Sequence, residues 1–121
     1  MPLIKLSTTL ELTQEKRDKL IDGLGDAMSS TIPGKEKRFL IVDLEEGKNM
    51  YMAGEKQENM VFADVQYYSN FSYQIKQKFT AAAFDAINAA IGTSKEKMFL
   101  TITERNNWGA FGDFRDEYYS E

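Results

Sequence analysis

The chain has 121 residues, of which 42% are apolar and 28% charged, a composition typical of one soluble globular domain. Its net charge of −4 argues against a general nucleic-acid-binding protein, which would carry a basic face. The chain contains no cysteine and no histidine, which excludes disulfides, thiolate catalysis and histidine-based acid–base or metal chemistry. Any acid–base catalysis must therefore rest on carboxylates, lysine, tyrosine or the amino terminus.

The start of the chain has no basic region followed by an apolar run, and no stretch approaches the ~18 apolar residues of a membrane span. We therefore predict a cytoplasmic protein with no signal peptide, no membrane contact and no nucleic-acid partner. Secretion by a route that needs no signal peptide remains an alternative.

The first half of the chain predicts a strand, a helix and a second strand. Residues 3–6 form a short apolar run, and residues 39–44 are rich in apolar and branched side chains. Between them Thr13 is the predicted N-cap of a helix, which Pro33-Gly34 stops. The buried stripe of this helix is given by apolar residues at helical spacing, namely Leu20, Leu24 and Met28.

The second half predicts the same order of elements. Residues 45–59 are polar and form a loop or ribbon, and residues 60–68 form a third strand in which Met60 and Phe62 point to burial. A second helix ends at Gly92, and residues 98–103 form a fourth strand. An aromatic, glycine-containing segment follows at 107–114, and residues 115–121 predict a mobile polar tail. The stripe of the second helix is Ile75, Phe79, Ala83, Ile87 and Ile91.

The two halves also repeat in sequence. Residues 35–42 resemble residues 95–102, and Asp26-Ala27 matches Asp85-Ala86 with a slightly smaller offset. Each half is a strand–helix–strand unit, which in one sheet implies a right-handed crossover. We therefore predict one α/β domain (α+β in some schemes) over residues 1–114, with pseudo-repeats at 1–45 and 60–105. Its two β-α-β units form a four-stranded mixed sheet with both helices on one face.

The strand patterns also predict association between chains. Strands two and three carry apolar residues at both parities, whereas a sheet with one wet face would show alternation. The chain has no further segment to cover the second face, so we expect a homo-oligomer. The residues concerned are Phe39, Leu40, Ile41, Val42, Val61, Phe62 and Ala63.

Pro2 follows the initiator methionine. If Met1 is removed, the chain begins with a secondary amine, and a free α-amino group titrates near pH ~8. An apolar pocket or a nearby cation would lower that pKa and give a general base suited to neutral pH. Taken alone, Pro2 is equally an ordinary second residue.

Five short motifs together resemble the tautomerase superfamily, and within it the macrophage migration inhibitory factor branch. The resemblance runs through nearly the whole chain to Phe114. It implies a trimer of two-unit subunits with active sites at the subunit interfaces. It also implies cofactor-free and metal-free keto–enol tautomerisation of small anionic α-keto acids such as phenylpyruvate. The motifs are Met1-Pro2-Leu3-Ile4, Gly34-Lys35, Val42-Asp43-Leu44-Glu45, Met50-Tyr51-Met52-Ala53-Gly54 and Asn107-Trp108-Gly109.

The resemblance also implies roles for individual residues. Pro2 would be the catalytic base, and Lys35 would bind the substrate carboxylate and depress the pKa of the proline amine. Lys35 is alternatively a solvated cation of the connector. Phe39 would form an aromatic wall, and Tyr68 would narrow the pocket. The segment closing the pocket would contribute aromatic residues for which core or interface packing is the alternative, namely Trp108, Phe111 and Phe114.

The fourth strand departs from the family pattern. Phe99 aligns with a tyrosine that the family contributes across the subunit interface, and Thr101 aligns with an asparagine. Phe99 cannot donate a hydrogen bond to a developing enolate oxygen. If the alignment slips, Lys97 takes the place of the tyrosine.

Three functions follow from these features. The first is a phenylpyruvate-type tautomerase, an isomerase. The second is a related decarboxylation or hydration that uses arginines in the pocket, with Arg38 adjacent and Arg17 more remote. The third is a trimer without catalysis that acts through its surface, which Phe99 and Tyr68 favour and a retained Met1 would support.

Overall fold

The computed structural model describes residues 1–118. Single-turn 3-10 helices at Lys37–Phe39 and Lys95–Lys97 precede the second and sixth strands. Within the described residues no helix is long and apolar enough to cross a membrane. The elements in chain order are β1 (Leu3–Thr8), α1 (Gln14–Thr31), β2 (Ile41–Glu45), β3 (Tyr51–Met52), β4 (Glu55–Lys56), β5 (Val61–Tyr68), α2 (Tyr73–Ile91), β6 (Met98–Arg105), β7 (Asn107–Ala110) and β8 (Asp113–Asp116).

The main sheet has four strands in the order β2-β1-β5-β6. Strand β1 is parallel to β2 and antiparallel to β5, and β5 is parallel to β6. Helices α1 and α2 pack against each other and share one apolar core with the sheet. The helices approach closely at Gly23, where an added Cβ would lie 3.1 Å from the Ala86 Cβ. The predicted mixed sheet with both helices on one face is confirmed.

Helix α1 begins after its predicted N-cap, α2 begins after Ser72, and both helices end at the predicted signals. The Thr13 side chain accepts a hydrogen bond from the Lys16 amide, and the Ser72 side chain accepts one from the Ile75 amide. Helix α1 ends ahead of Pro33, which disfavours helical backbone in the residue before it. Helix α2 ends at Gly92 with φ of 74°, a left-handed conformation in which glycine has no steric cost.

The buried stripes of the two helices have the same spacing. In both helices the buried residues of the stripe recur every four positions. The stripe of α1 continues to Ile32, the residue after the helix, and that of α2 continues to Ile91, its last residue. The stripe of α1 is Leu20, Leu24, Met28 and Ile32, and that of α2 is Phe79, Ala83, Ile87 and Ile91.

The start of the second strand differs from its prediction. Phe39 was expected in this strand, but it lies in the 3-10 turn, and β2 begins at Ile41. The equivalent turn in the second half lies at Lys95–Lys97, so Phe99 is inside β6 while Phe39 is not. The connection from α1 to its 3-10 turn, residues 32–36, is longer than that from α2, residues 92–94. The matching letters of residues 35–42 and 95–102 therefore do not mark equivalent positions.

One prediction for the third strand is wrong. Its buried residues are Val61, Ala63, Val65 and Tyr67, whereas Phe62 points to the opposite face and is 44% exposed. Both helices pack on one face of the sheet. Side chains alternate along β5, so every second residue points away from the helices.

The C-terminal segment forms a tight hairpin of β7 and β8. Its turn residues Phe111 and Gly112 have φ of 53° and 78°, and two positive values are what a type I′ turn requires. Arg115 and Asp116, assigned on sequence to the tail, lie in β8 instead. Residues 119–121 of the predicted tail lie outside the described residues.

Ser69 has a strained backbone directly after β5, with φ of 95°. A non-glycine residue in the left-handed region costs about 1–2 kcal/mol. We expect Ser69→Gly to raise the free energy of unfolding by about 1 kcal/mol, although glycine normally destabilises by adding freedom to the unfolded chain. Urea denaturation measures this difference.

The control for this prediction is Ser69→Ala. The Ser69 hydroxyl makes no hydrogen bond within the described residues, so alanine should leave stability within about 0.5 kcal/mol of the parent protein. A glycine variant less stable than the alanine variant would contradict the assignment of strain.

Candidate active site

Lys35 is fixed by the turn between α1 and β2. Its amide donates to the Ile32 carbonyl at 3.2 Å, and its Nζ donates to the Tyr68 carbonyl at 2.7 Å. The ammonium also lies 5.7 Å from the ring centre of Tyr67 and 6.0 Å from that of Phe71. Burial lowers the pKa of Lys35. Within residues 1–118 no carboxylate lies within 4.0 Å of this ammonium, so it can bind an external anion.

The two rings beneath Lys35 are held by Glu104. Its Oε2 accepts hydrogen bonds from the Tyr67 hydroxyl at 3.0 Å and the Phe71 amide at 2.7 Å. Its Oε1 accepts from Lys76 Nζ at 2.8 Å. Burial would raise the pKa of Glu104, but the hydrogen bonds from Lys76, Phe71 and Tyr67 outweigh it and lower that pKa. Burial and the hydrogen bond to Glu104 raise the pKa of Tyr67, which therefore stays neutral.

The amino terminus enters the same region. The Pro2 carbonyl accepts a hydrogen bond from the Ile41 amide at 3.0 Å, which extends the pairing of β1 with β2 by one residue, and Pro2 is buried. Burial lowers the pKa of the Met1 α-amino group, and the charges of Lys35 and Arg115 lower it further. The end of the chain therefore lies in a positive field from two side chains.

Met1 and Lys35 open onto a common cavity of about 510 Å³. Phe39 and Phe111 form one aromatic corner, with ring centres 5.8 Å apart and planes at 68°. The guanidinium of Arg38 stacks on Phe39 at 4.5 Å. The lining residues are Met1, Gly34, Lys35, Phe39, Tyr68, Trp108, Ala110, Phe111, Asp113 and Arg115.

Alternation in the hairpin decides which of its residues reach the cavity. Trp108 pairs with Arg115, and Ala110 pairs with Asp113, so these four share one face. Phe114 pairs with Gly109 on the other face, is 63% exposed and does not line the cavity.

The predicted site residues therefore fall into two groups, those that line the cavity and those that do not. The structure brings five of them together around the end of the chain that carries Pro2, and it leaves Phe114, Phe99 and Thr101 outside the cavity. Phe99 pairs with Phe62, and Thr101 with Asp64, on the face of the sheet turned away from the helices. The five residues are Lys35, Phe39, Tyr68, Trp108 and Phe111.

Two residues considered as alternative members of the site form hydrogen bonds away from the cavity. Lys97 donates to the Gln57 side chain and does not line the cavity, so a slipped alignment does not bring it there within one chain. Arg17 binds Glu46 through two nitrogens.

Sequence reasoning missed Asp113, which lies in a segment considered only for its aromatic residues, and Arg115, which was assigned to the tail. The signal that could have found them is Phe111-Gly112, followed by alternating residues that suit a returning strand.

A second, more polar cavity of about 550 Å³ lies on the other side of Trp108. Its carboxylate, Glu104, already accepts three hydrogen bonds and is therefore not a free base. Among the residues that the structure describes, no group of three acidic side chains could hold a metal ion.

No protein-family model and no curated protein sequence matches the chain. Solved structures match its fold closely. Leishmania major MIF2 aligns with a TM-score of 0.85 at 17% identity, covering 94% of this chain and 97% of that one. Pt0534 inactivated by 2-oxo-3-pentynoate aligns with a TM-score of 0.82 at 19% identity, covering 96% and 97%.

The macrophage migration inhibitory factor of Toxoplasma gondii aligns with a TM-score of 0.77 at 17% identity, over 93% of this chain and 98% of that one. At identities this low the likeness concerns the fold. The resemblance drawn from the five motifs is confirmed at that level, because the chain has the same fold as these macrophage migration inhibitory factor structures.

Proposed function

We propose that the chain without Met1 is a cofactor-free keto–enol tautomerase of small α-keto acids, of the phenylpyruvate type, with Pro2 as general base. The observation that carries the proposal is the shared cavity. Met1, which precedes the buried Pro2, lines it together with Lys35 and the aromatic corner of Phe39 and Phe111.

The surroundings of the amino terminus favour an unprotonated amine. The burial and positive charges that lower the pKa of the Met1 amino group lie one residue from Pro2, so the same causes act on the proline amine once Met1 is removed. An amine with its pKa near neutrality is both unprotonated and basic enough to move a proton.

The reaction needs one base and one anion site. The Pro2 nitrogen accepts the proton of the enol hydroxyl as the carbonyl forms, and the resulting ammonium returns a proton to the neighbouring carbon. The proton thus moves from oxygen to carbon with no net gain or loss. Lys35 holds the substrate carboxylate, and the aromatic corner packs on the rest of the molecule.

Assembly as a homotrimer belongs to this proposal. Three large apolar side chains are exposed on the face of the sheet away from the helices: Ile41 at 48%, Phe62 at 44% and Phe99 at 39%. A single chain leaves them in water, and neighbouring chains would cover them. Among the similar structures is a fused 4-OT that forms a symmetric trimer. In such a trimer Phe99 and Thr101 would reach the cavity of a neighbouring subunit.

A trimer without catalysis is the second candidate, favoured by Phe99, which stands where the resemblance implies a tyrosine and cannot donate a hydrogen bond to an enolate oxygen. The Pro2 nitrogen is an amide while Met1 is present, and an amide cannot act as a base. The state of the amino terminus therefore separates the two candidates.

Pro2→Gly replaces the ring nitrogen with a primary amine that no ring holds in position. It should lower the rate of enol phenylpyruvate ketonisation at least ~100-fold, because a positioned base contributes about 10²–10⁴-fold. The matched control keeps the proline and inserts one alanine between Met1 and Pro2, which turns the ring nitrogen into an amide. This control should be equally inactive. Absorbance of the enol measures both rates, and intact mass reports whether Met1 is present. Full activity in either variant would contradict the role of Pro2.

Lys35→Met should raise KM for phenylpyruvate roughly 10- to 100-fold, as expected for loss of a hydrogen bond to a charged group. It should also move the acidic limb of the kcat/KM profile to higher pH. The base must be unprotonated to act, and removing the cation raises the pKa of the Pro2 amine.

Lys78→Met is the matched control for that variant. Lys78 is exposed on α2 and makes no ion pair within the described residues, so its loss should leave both quantities unchanged. An unaltered pH profile in Lys35→Met would contradict electrostatic control of the base.

A further inference from the structure

We propose that Glu104 is a positioning residue of the candidate active site. Through the rings of Tyr67 and Phe71 it fixes the Lys35 ammonium at the point where the substrate carboxylate binds. The inference rests on the proposed function for the role of Lys35, and it adds the group that holds this lysine in place.

The Glu104 carboxylate lies between three parts of the chain. Its side chain is 14% exposed, and its three hydrogen-bond donors lie at the end of β5, in the connection that follows β5, and in α2. They are the Tyr67 hydroxyl at 3.0 Å, the Phe71 amide at 2.7 Å and Lys76 Nζ at 2.8 Å. A hydrogen bond to an ionised acceptor is stronger than one between neutral groups, so the carboxylate holds all three donors in a fixed arrangement.

Two of the residues that Glu104 holds form the surface on which Lys35 lies. The rings of Tyr67 and Phe71 pack edge to face, with centres 5.5 Å apart and planes at 70°. The Lys35 ammonium lies 5.7 Å from the first ring centre and 6.0 Å from the second, and within residues 1–118 it makes one hydrogen bond, to the Tyr68 carbonyl. A lysine has a flexible stem and three donors, so one hydrogen bond leaves the direction of the other two donors open. The two rings restrict that direction.

Glu104 holds Lys35 without neutralising it. Within the part of the chain that the structure describes, the ion pair of Glu104 is with Lys76, and none is formed with Lys35. The Tyr67 side chain connects the two, because its hydroxyl contacts Glu104 and its ring contacts Lys35. A carboxylate in direct contact with Lys35 would compete with the substrate for the same charge. The indirect arrangement leaves that charge for the substrate.

Glu104→Gln tests the proposal, because a carboxamide has a donor in place of one acceptor oxygen and cannot accept all three hydrogen bonds. We expect it to lower kcat/KM for enol phenylpyruvate roughly 3- to 10-fold, the range for one hydrogen bond. The change should lie in KM and not in kcat, as for any loss of uniform binding. In the Lys35→Met background Glu104→Gln should cost less than about 2-fold, because the residue that it positions is then absent.

Nuclear magnetic resonance of the assembled protein observes Lys35 directly and needs no turnover. The two Cε protons of a fixed lysine side chain have different chemical shifts, whereas rapid rotamer exchange averages them to one value. We expect separate shifts for Lys35 in the parent protein and one averaged value in Glu104→Gln. Tyr67→Phe removes one of the three donors and should bring the two shifts part of the way together. The spectrum of Lys35→Met identifies the signals.

Glu46→Gln is the matched control. Glu46 also accepts hydrogen bonds from a backbone amide and a charged side chain, those of Leu12 and Arg17, but it lies outside the cavity that Lys35 lines. Its substitution should change neither the Lys35 shifts nor kcat/KM.

Four results would overturn the proposal. They are an equal loss of kcat/KM from Glu104→Gln with and without Lys35, averaged Lys35 shifts in the parent protein, separate shifts retained in both Glu104→Gln and Tyr67→Phe, and the same changes in Glu46→Gln. Tyr67→Phe decides the outcome if Glu104→Gln does not fold. If the parent protein has no tautomerase activity, the proposed function fails, whereas the Lys35 shifts still report on Glu104.

Discussion

The interior position of β1 is the constraint on which the site depends. A strand that pairs on both sides cannot move without breaking two ladders, and β1 pairs with β2 and with β5 from its first residue. The hydrogen bond from the Ile41 amide to the Pro2 carbonyl extends that pairing to the residue before the strand. Chain termini are usually mobile, but here the amino end is fixed to within one residue of the sheet. A general base carried by the chain terminus requires this.

The remaining parts of the site are attached to the same end of the sheet by short connections. Lys35 lies in the turn before β2, and its ammonium is bound to the carbonyl that ends β5. Glu104 fixes the rings under Lys35 through β6, and the β7–β8 hairpin continues from that strand. Each neighbour of β1, and the strand beyond it, thus contributes one wall. The electrostatic field at the amino terminus is the sum of charges that the sheet order brings together.

The outer face of the sheet has a mixed character. At one end of it lie Phe62 and Phe99, and in the middle Lys5 stands between Asp43 and Asp64 of the adjacent strands. Opposite charges on adjacent strands stabilise each other without a second subunit, whereas exposed aromatic rings are stabilised when a second subunit buries them. Contact between subunits is therefore expected to concentrate on the apolar ends of this face.

The sequence by itself determined what depends on local rules. Helix ends followed from Thr13, Pro33 and Gly92, because caps and breakers act within a few residues. The buried stripes of the helices followed from the helical spacing of apolar residues. The order of elements followed from the strand–helix–strand pattern that both halves share. The shared cavity around Lys35 followed only from the resemblance, since no spacing rule joins that lysine to the amino terminus.

Only the tertiary structure decided how these elements meet. The sequence did not distinguish the two faces of β5, so Phe62 was expected to be buried. In the structure Val61 and Ala63 point to the helices, and Phe62 between them points to the opposite face. The matching residues Phe39 and Phe99 lie in different elements, because the connection after α1 is longer than the connection after α2. The exchange of Phe114 for Arg115 in the cavity arises from hairpin register. A pattern of period two is the same for both faces, and only pairing across the turn chooses between them.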